Sequence, residues 1–538
     1  MRAITYAVAT AMLLTPPVSV HAQQVDRSQV ARIVDEGTRD SEVMRIAQYL
    51  TDVIGPRLTN SPGMRHAEDW TAAKFREWGL TNVHKEGFEF GRGWWADSWS
   101  GRMVTPRYDQ LNVVPITWTP GTDGVVRGQV ILAQIDSDAD LARWKGKLAG
   151  KIVLLSEAKP AEDPTSVPLR RWTDEDLAGF NDYSLPTYQD RGGNRSARMT
   201  FGERRDAFLK EEGALATVTM SGRDGDIVHG SGYSFRLENA PQVPGFEMSA
   251  EDYRRLARLL SMGAAPEIEL ESTVHFDDSN TQAYNIIADI PGTDRNAGYV
   301  MAGAHLDSWA AGDGAADNAA GSAMVMEAAR IIRALGIPTK RTIRFALWSG
   351  EEQGLLGSMA YVEQHVASRP VDPSASGIAR YMGWTRAWPI TPGADHGKLA
   401  AYFNIDNGSG KIRGIYTQGN AGVVPIFQQW LEPFAPMGAT TVSMRSTGGT
   451  DHVFFDAVGI PAFQFIQDPL DYGSRLHHTN LDTFDHLQAA DMRQGAIILA
   501  AFLIQAANAD KPLPRVPFPT EPKSSDGFYA FPGEAAGE

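Results

Sequence analysis

The sequence predicts an α/β protein: a mostly parallel, mixed sheet flanked by helices, with a second, β-rich domain inserted into it. Three observations lead there. From Tyr284 onward, short apolar runs alternate with longer stretches of helical spacing, the pattern of a buried sheet covered on both faces. Between about Thr105 and Asn280 the texture changes to short apolar runs such as "GQVILAQI" and "GKIVLLSEA", set among turn-rich charged segments like "YQDRGGNRSARMTFGERRD". The chain's 538 residues also exceed the usual size of one compact unit.

Taken in order, residues 1–22 read as a signal peptide. Arg2 gives the basic start, "AVATAMLL" the short apolar core, and "VHA" a small-residue cleavage site ending at Ala22. Pro16 and Pro17 interrupt that apolar stretch, and no later run has the length to span a membrane. Residues 23–104 form the first part of the main domain, with helical spacing in "VARIVDEG" and "WTAAKFREWGL" and breaks at Gly55-Pro56 and Ser61-Pro62-Gly63. Residues 105–280 are the insert. Residues 281–510 resume the main domain, with strands expected at "YNIIADI", "GYVMAGAH", "TIRFALWS", "LAAYFNID" and "PAFQFIQ". Helices are expected at "GSAMVMEAARIIRAL", "LLGSMAYVEQHV", "VPIFQQWLEPF" and "AADMRQGAIILAAFLIQAA". Residues 511–538 are proline-rich and read as an extended tail.

Composition narrows the function. The net charge of −15, from 65 acidic against 50 basic residues, excludes nucleic acid or an anionic membrane surface as the main partner. The absence of cysteine excludes disulfides, thiolate zinc sites and a thiol nucleophile. With a signal peptide, this describes an exported bacterial protein of the periplasm or medium.

In open α/β sheets, ligands bind beyond the C-terminal ends of the strands. The polar residues that follow each expected strand therefore form a set. "GYVMAGA" delivers His305 and Asp307, "TIRFALWSG" delivers Glu351 and Glu352, and "LAAYFNI" delivers Asp406. "AFQFIQDPLDYGSRLHHTNLDT" delivers His477, His478 and Asp482, and Asp317 stands at the mouth of the helix after His305. Imidazole nitrogen and carboxylate oxygen suit zinc, and a bridging carboxylate can hold two ions about 3.5–4 Å apart for hydrolysis. Asp317, among small residues that give metals room, is the bridge. His305 and Asp406 complete one site, Glu352 and His478 the other. Asp307 is expected to accept the second N–H of His305 and fix its tautomer. Neighbours point in different directions, so Glu351 is free to act as general base toward the activated water and then toward the leaving nitrogen. No G-x-S-x-G elbow is present, and none is needed.

The motifs "AHLDS", "GAADNAAGSA", "WSGEEQGLLGS", "FNIDNGSG" and "HHTNLDT", in that order, resemble the M28 family of co-catalytic zinc exopeptidases. "GGTDHVFFDAVGIPAFQFIQDPLDY" points to its carboxypeptidase Q-like branch. The resemblance runs from about Ala22 to Ala507. It implies a zinc-exopeptidase (phosphorylase/hydrolase-like) fold with a protease-associated insert, two Zn2+ per chain, and aminopeptidase, dipeptidase or carboxypeptidase action on short peptides. A homodimer is the assembly it suggests. Residue by residue, it implies His305, Asp317, Glu352, Asp406 and His478 as ligands, Glu351 as base, Asp307 as partner of the first histidine, and a cis peptide at Asp317-Asn318. Many relatives place an oxyanion-stabilising tyrosine near the last ligand. Here His477 stands just before that ligand and is expected to take that role. Arg475 and Tyr472 are candidates for reaching a substrate terminus, Asp313 reads as a turn residue, and Asp451-His452 as part of a pocket-shaping loop. Two other functions fit the residues less well. A mono-zinc glutaminyl-cyclase-like acyltransferase would not need both His305 and Asp406, and an inactive receptor-like binding protein would be expected to lose ligands.

Overall fold

The computed structural model describes residues 25–520 apart from 162–168, 183–191, 240–241, 376 and 385–386. The signal peptide expected at 1–22 and the last part of the tail, 521–538, lie outside the described residues.

The main sheet has eight strands: β1 (Thr81–Glu89), β2 (Gln282–Ile290), β3 (Tyr299–His305), β4 (Thr342–Trp348), β5 (Leu399–Asn404), β6 (Ile412–Tyr416), β7 (Thr441–Ser443) and β8 (Ala462–Gln467). Their order is β1-β2-β4-β3-β5-β8-β6-β7. The central four, β4, β3, β5 and β8, run parallel, with His305 beside Trp348, Gly303 beside Asn404, and Asn404 beside Gln464. Pairing turns antiparallel where β2 meets β4 and where β8 meets β6. The sheet is thus mixed, with a parallel centre.

The central strands read as unbroken apolar runs because both faces are covered. Val300, Ala302 and Ala304 of β3 point into one core, while Tyr299 and Met301 point into another. β4 alternates likewise, Phe345 and Leu347 on one side and Ala346 and Trp348 on the other. The first core is roofed by helices Arg27–Arg39, Ala320–Leu335 and Ala489–Asn508. The last two touch closely: a Cβ at Gly495 would stand 2.5 Å from Met324 Sδ. The second core is covered by the short helices Leu356–Tyr361 and His452–Asp456.

A second eight-stranded sheet is built from residues between Gly93 and Asp277. Its longest pair, Gly93–Thr105 with Glu267–Asp277, is antiparallel and carries the chain in and out. The sheet therefore begins upstream of residue 105, where the sequence texture changes. "GWWADSWSGRMVT" carries a smaller share of apolar residues than the runs after it, interrupted by Asp97, Ser98 and Ser100. Trp94 from this stretch is fully buried. Among the described residues, no helix is long and apolar enough to cross a membrane.

Candidate metal centre

The parallel centre of the sheet aims four strand ends at one edge, and the candidate residues meet there. His305 closes β3, Asp406 follows β5 by two residues, Glu351 and Glu352 follow β4, and the loop after β8 brings back His477 and His478. Nε2 of His305 lies 3.3 Å from Asp317 Oδ1 and 3.3 Å from Asp406 Oδ1. On the other side, Nε2 of His478 lies 3.4 Å from Asp317 Oδ2 and 2.8 Å from Glu352 Oε2. The two oxygens of Asp317 thus face two different histidines. Tetrahedral zinc with ligands at about 2.0–2.1 Å separates neighbouring donors by about 3.3–3.4 Å, which three of these four spacings match.

The donors also lack other partners. Asp317 Oδ2 and Glu352 Oε1 are buried without a hydrogen bond, a costly state that cations would relieve. Electrostatics agree. Burial opposes a charge on His305, yet Asp406, Glu351 and Asp317 outweigh it and hold the imidazole well above its usual range. Burial pushes the carboxyls of Glu351 and Glu352 well up. Asp317 alone is held well below the ordinary carboxylate range: burial opposes this, but His305, His478 and His477 surround it. A cluster that retains protons in this way is one that divalent cations displace them from. The donor set fits zinc in chemistry and in spacing.

His477 stacks on His478 with ring centroids 3.6 Å apart, and its Nε2 stands 4.0 Å from Asp317 Oδ2. Of the pair, His478 makes the shorter approaches to both carboxylates. Burial drives His477 down to about 4, so its ring is neutral at pH 7. Tyr472 sets its ring against that of His477, centroids 5.1 Å apart, and is raised well above the usual phenol range by burial and by the Asp317, Asp406, Glu352 and Glu351 carboxylates. Arg475 is exposed on the same loop. Asp451 and His452 are fully buried, and burial moves them to about 8 and about 4 respectively.

Two expectations need correcting. Asp307 does not orient His305 through its carboxylate, which stands 3.8 Å from Nδ1; its main-chain oxygen does, at 2.9 Å. β3 ends at His305, so the chain has left the strand by Asp307 and turns its carbonyl toward the ring. The carboxylate instead accepts from Thr59 Oγ1 (3.0 Å) and from the main-chain N–H groups of Glu351 and Glu352 (both 3.3 Å). It fixes the Glu351-Glu352 turn. The second correction concerns the small residues around Asp317, whose glycines leave room for protein rather than for metal. A Cβ at Gly303 would meet Tyr402, one at Gly312 the carbonyl of Thr479, and one at Gly321 the Asn318 side chain. Gly314 has φ +58° and lies against Ser308.

Three supporting residues carried no such role in the sequence. Arg57 is fully buried, and its guanidinium donates to the carbonyls of Leu306 (2.9 Å), Leu50 (3.1 Å), Gly55 (2.8 Å), Asp313 (2.8 Å) and Gly314 (2.8 Å). It thereby holds the whole loop between His305 and Asp317. Asp482 accepts from the N–H groups of Ala316 (2.6 Å) and Asp317 (2.9 Å), steadying the bridge itself. The Asp317-Asn318 peptide beside it is cis. Asp468, directly after β8, accepts from Arg171 Nη1 (2.9 Å), Trp172 N (3.0 Å) and Arg413 Nη1 (3.1 Å). The inserted region thus grips the root of the loop that carries Tyr472, His477 and His478. Strand-end position singles out Asp468 and the H-T-x-x-D frame singles out Asp482. Nothing local marks Arg57.

A sheet edge that gathers two histidines and three carboxylates into two adjoining donor groups defines a metal-dependent hydrolase. Residues 285–503 match Peptidase family M28, and the chain carries that family's domain. The rat protein Carboxypeptidase Q (Rattus norvegicus) is 26% identical over 470 residues, covering 87% of this chain and 85% of the rat protein. Among solved structures, a Peptidase M28 precursor from Shewanella amazonensis SB2B superposes with a TM-score of 0.64 at 24% identity, over 92% of this chain and 99% of that one. A zinc aminopeptidase from Bacillus subtilis gives 0.54 at 18% identity, over 87% and 95%. These two share the fold.

Proposed function

We propose that this protein is an exported, co-catalytic zinc exopeptidase that hydrolyses terminal peptide bonds of dipeptides and other short peptides. The observation that carries this reading is the two-sided Asp317 carboxylate, with Oδ1 toward His305 and Oδ2 toward His478. His305, Asp317 and Asp406 would hold one zinc ion, and Asp317, Glu352 and His478 the other. Two zinc ions held there supply Lewis acidity to the scissile carbonyl and the attacking water.

The chain's own residues do the rest. Glu351 is buried beside the metal ligands, and burial raises its carboxyl well above the usual range. A carboxylate of raised basicity takes the proton of the attacking water and passes it to the leaving nitrogen. Asp307 holds the Glu351 N–H and so aims that base. His477, neutral and half-exposed, donates its N–H to the developing oxyanion, with Tyr472 beside it.

The test is hydrolysis of unblocked dipeptides with zinc content measured in parallel. Two zinc ions per chain and chelator-sensitive cleavage are expected. Glu351→Gln should keep both ions and lose about 10²- to 10⁴-fold in kcat. Undiminished turnover in that variant would remove Glu351 from the mechanism.

A further inference from the structure

The two histidine donors of the metal centre are oriented in different ways. Each turns Nε2 toward Asp317, which leaves the plane of the ring to be fixed by something else. Metal-binding histidines nearly always settle this with a hydrogen bond at the second ring nitrogen. His305 has one, between Nδ1 and the Asp307 carbonyl at 2.9 Å. His478 does not: among the described residues its Nδ1 makes no hydrogen bond. Its side chain is also 28% exposed, against 1% for His305. The outer torsion of a histidine is broad on its own, so this ring turns unless packing stops it.

Two rings pack against it. One is His477, stacked on His478 with centroids 3.6 Å apart. The other is Trp309, set edgewise to the His478 ring with centroids 6.1 Å apart and planes at 62°. Trp309 lies in the loop between His305 and Asp317 and is only 3% exposed. Its main chain is held from the N-terminal segment: Ser308 N donates to the Arg57 carbonyl (3.1 Å), and Ser308 Oγ to the Trp309 carbonyl (3.1 Å). Its ring is held from the insert. Tyr233 and Trp118 both meet it at steep angles, with centroids 5.5 Å and 6.3 Å away. Trp118 is itself fixed, its Nε1 donating to the Arg92 carbonyl (3.0 Å) and its ring packed against Phe235 (5.4 Å). A buried indole N–H ordinarily finds an acceptor, yet among the described residues Trp309 Nε1 has none. What the indole contributes here is its ring.

We propose that Trp309 is the positioning residue of the second zinc site, fixing the plane of the His478 ring by contact as the Asp307 carbonyl fixes that of His305 by a hydrogen bond. This rests on the zinc reading above and adds to it that the two ions depend on different parts of the chain. The insert, through Tyr233 and Trp118 against Trp309, sets the affinity of the ion held by His478 and Glu352. The ion held by His305 and Asp406 is oriented within the main domain and does not depend on that contact.

Stepwise removal of zinc from the loaded full-length protein by a competing chelator reads the affinity of each ion without turnover, and His478→Ala identifies which step belongs to the second site. Trp309→Leu should weaken that step by roughly 10- to 100-fold, the range for losing a group that orients a metal ligand, and leave the other step unchanged. Trp309→Phe keeps an edgewise ring and should recover most of the loss, because the indole N–H bonds nothing. Both steps weakened alike in Trp309→Leu, or neither, overturns the proposal, and so does a phenylalanine variant no better than the leucine one. Should Trp309→Leu not fold, Tyr233→Leu decides in its place. Removing the insert ring behind Trp309 should weaken the second-site step by roughly 2- to 10-fold, the worth of one aromatic pair, and an unchanged step overturns the proposal. Wild-type protein that takes up no zinc would remove the metal-centre reading and this one with it. Two ions in the wild type, with Trp309 variants that match it step for step, would remove this one alone.

Discussion

Arg57→Lys is a demanding test of how the metal loop is held. Five main-chain carbonyls converge on the Arg57 guanidinium, three of them from the stretch that joins His305 to Asp317. An ammonium has three N–H donors, so at least two of the five carbonyls lose their partner while remaining out of water. Each such loss costs about 1–3 kcal/mol, which puts the destabilisation at roughly 2–6 kcal/mol. The environment makes lysine a still poorer substitute. Burial drags Arg57 itself down to about 10, and the same burial acting on a lysine, which starts near 10.4, would bring it closer to losing a further donor. The assay is urea unfolding followed by tryptophan fluorescence, with bound zinc measured after dialysis. Both stability and zinc retention are expected to fall, because the loosened loop carries Asp317. A variant within about 1 kcal/mol of wild type that keeps its full zinc content would refute the idea that these five bonds hold the site.

Zinc binding should strengthen with pH well past the point where ordinary carboxylates and histidines have stopped competing. Ligation displaces protons from Glu352 and His305, and both hold theirs above their usual ranges, so apparent affinity should still climb above pH 6.5. Calorimetry in buffers of different ionisation enthalpy would count the released protons, and affinity flat above that pH would contradict the assignment. Asp468→Asn should weaken zinc retention by roughly 10-fold, since it loosens the root of the loop bearing His478. Asp491→Asn also loses a bond from Arg171 (2.7 Å) but sits on the Ala489–Asn508 helix, away from that loop. Its effect on zinc should be smaller, and equal losses from the two variants would remove the loop from the explanation.

How much of this was legible in the sequence depends on how local each signal is. β3, β4, β5 and β8 could be read because strands buried on both faces must be apolar throughout, and their polar successors mark the ligand-binding edge. The helices at Ala320–Leu335 and Ala489–Asn508 were equally readable from spacing. Gly93–Thr105 was not assigned to the second sheet, because Asp97, Ser98 and Ser100 dilute its apolar content. The spacing His305-x-Asp307 showed that a carboxylate stands near the imidazole but not which oxygen faces the ring. That is settled by β3 ending at His305, a consequence of pairing with Trp348 on a neighbouring strand.

Arg57 and the grip on Asp468 were illegible for a shared reason: the partners come from segments brought together by folding. Arg57 serves carbonyls around 250 positions away, and Asp468 binds donors around 300 positions away. An arginine contributes no periodicity and closes no strand, so the sequence marks it as surface. The residues that do the chemistry lie at predictable ends of predictable strands, whereas Arg57, Arg171 and Trp172, which hold the loops that carry them, come from the N-terminal segment and the insert. His478 shows the two classes meeting. It is one of the donors readable from the motif, yet it adopts φ +66°, a conformation a histidine rarely holds without support. That support comes from Asn480 against Val228 on one side of it and Asp468 against Arg171 and Trp172 on the other. The backbone that places the second donor group is therefore fixed from the inserted region at both ends.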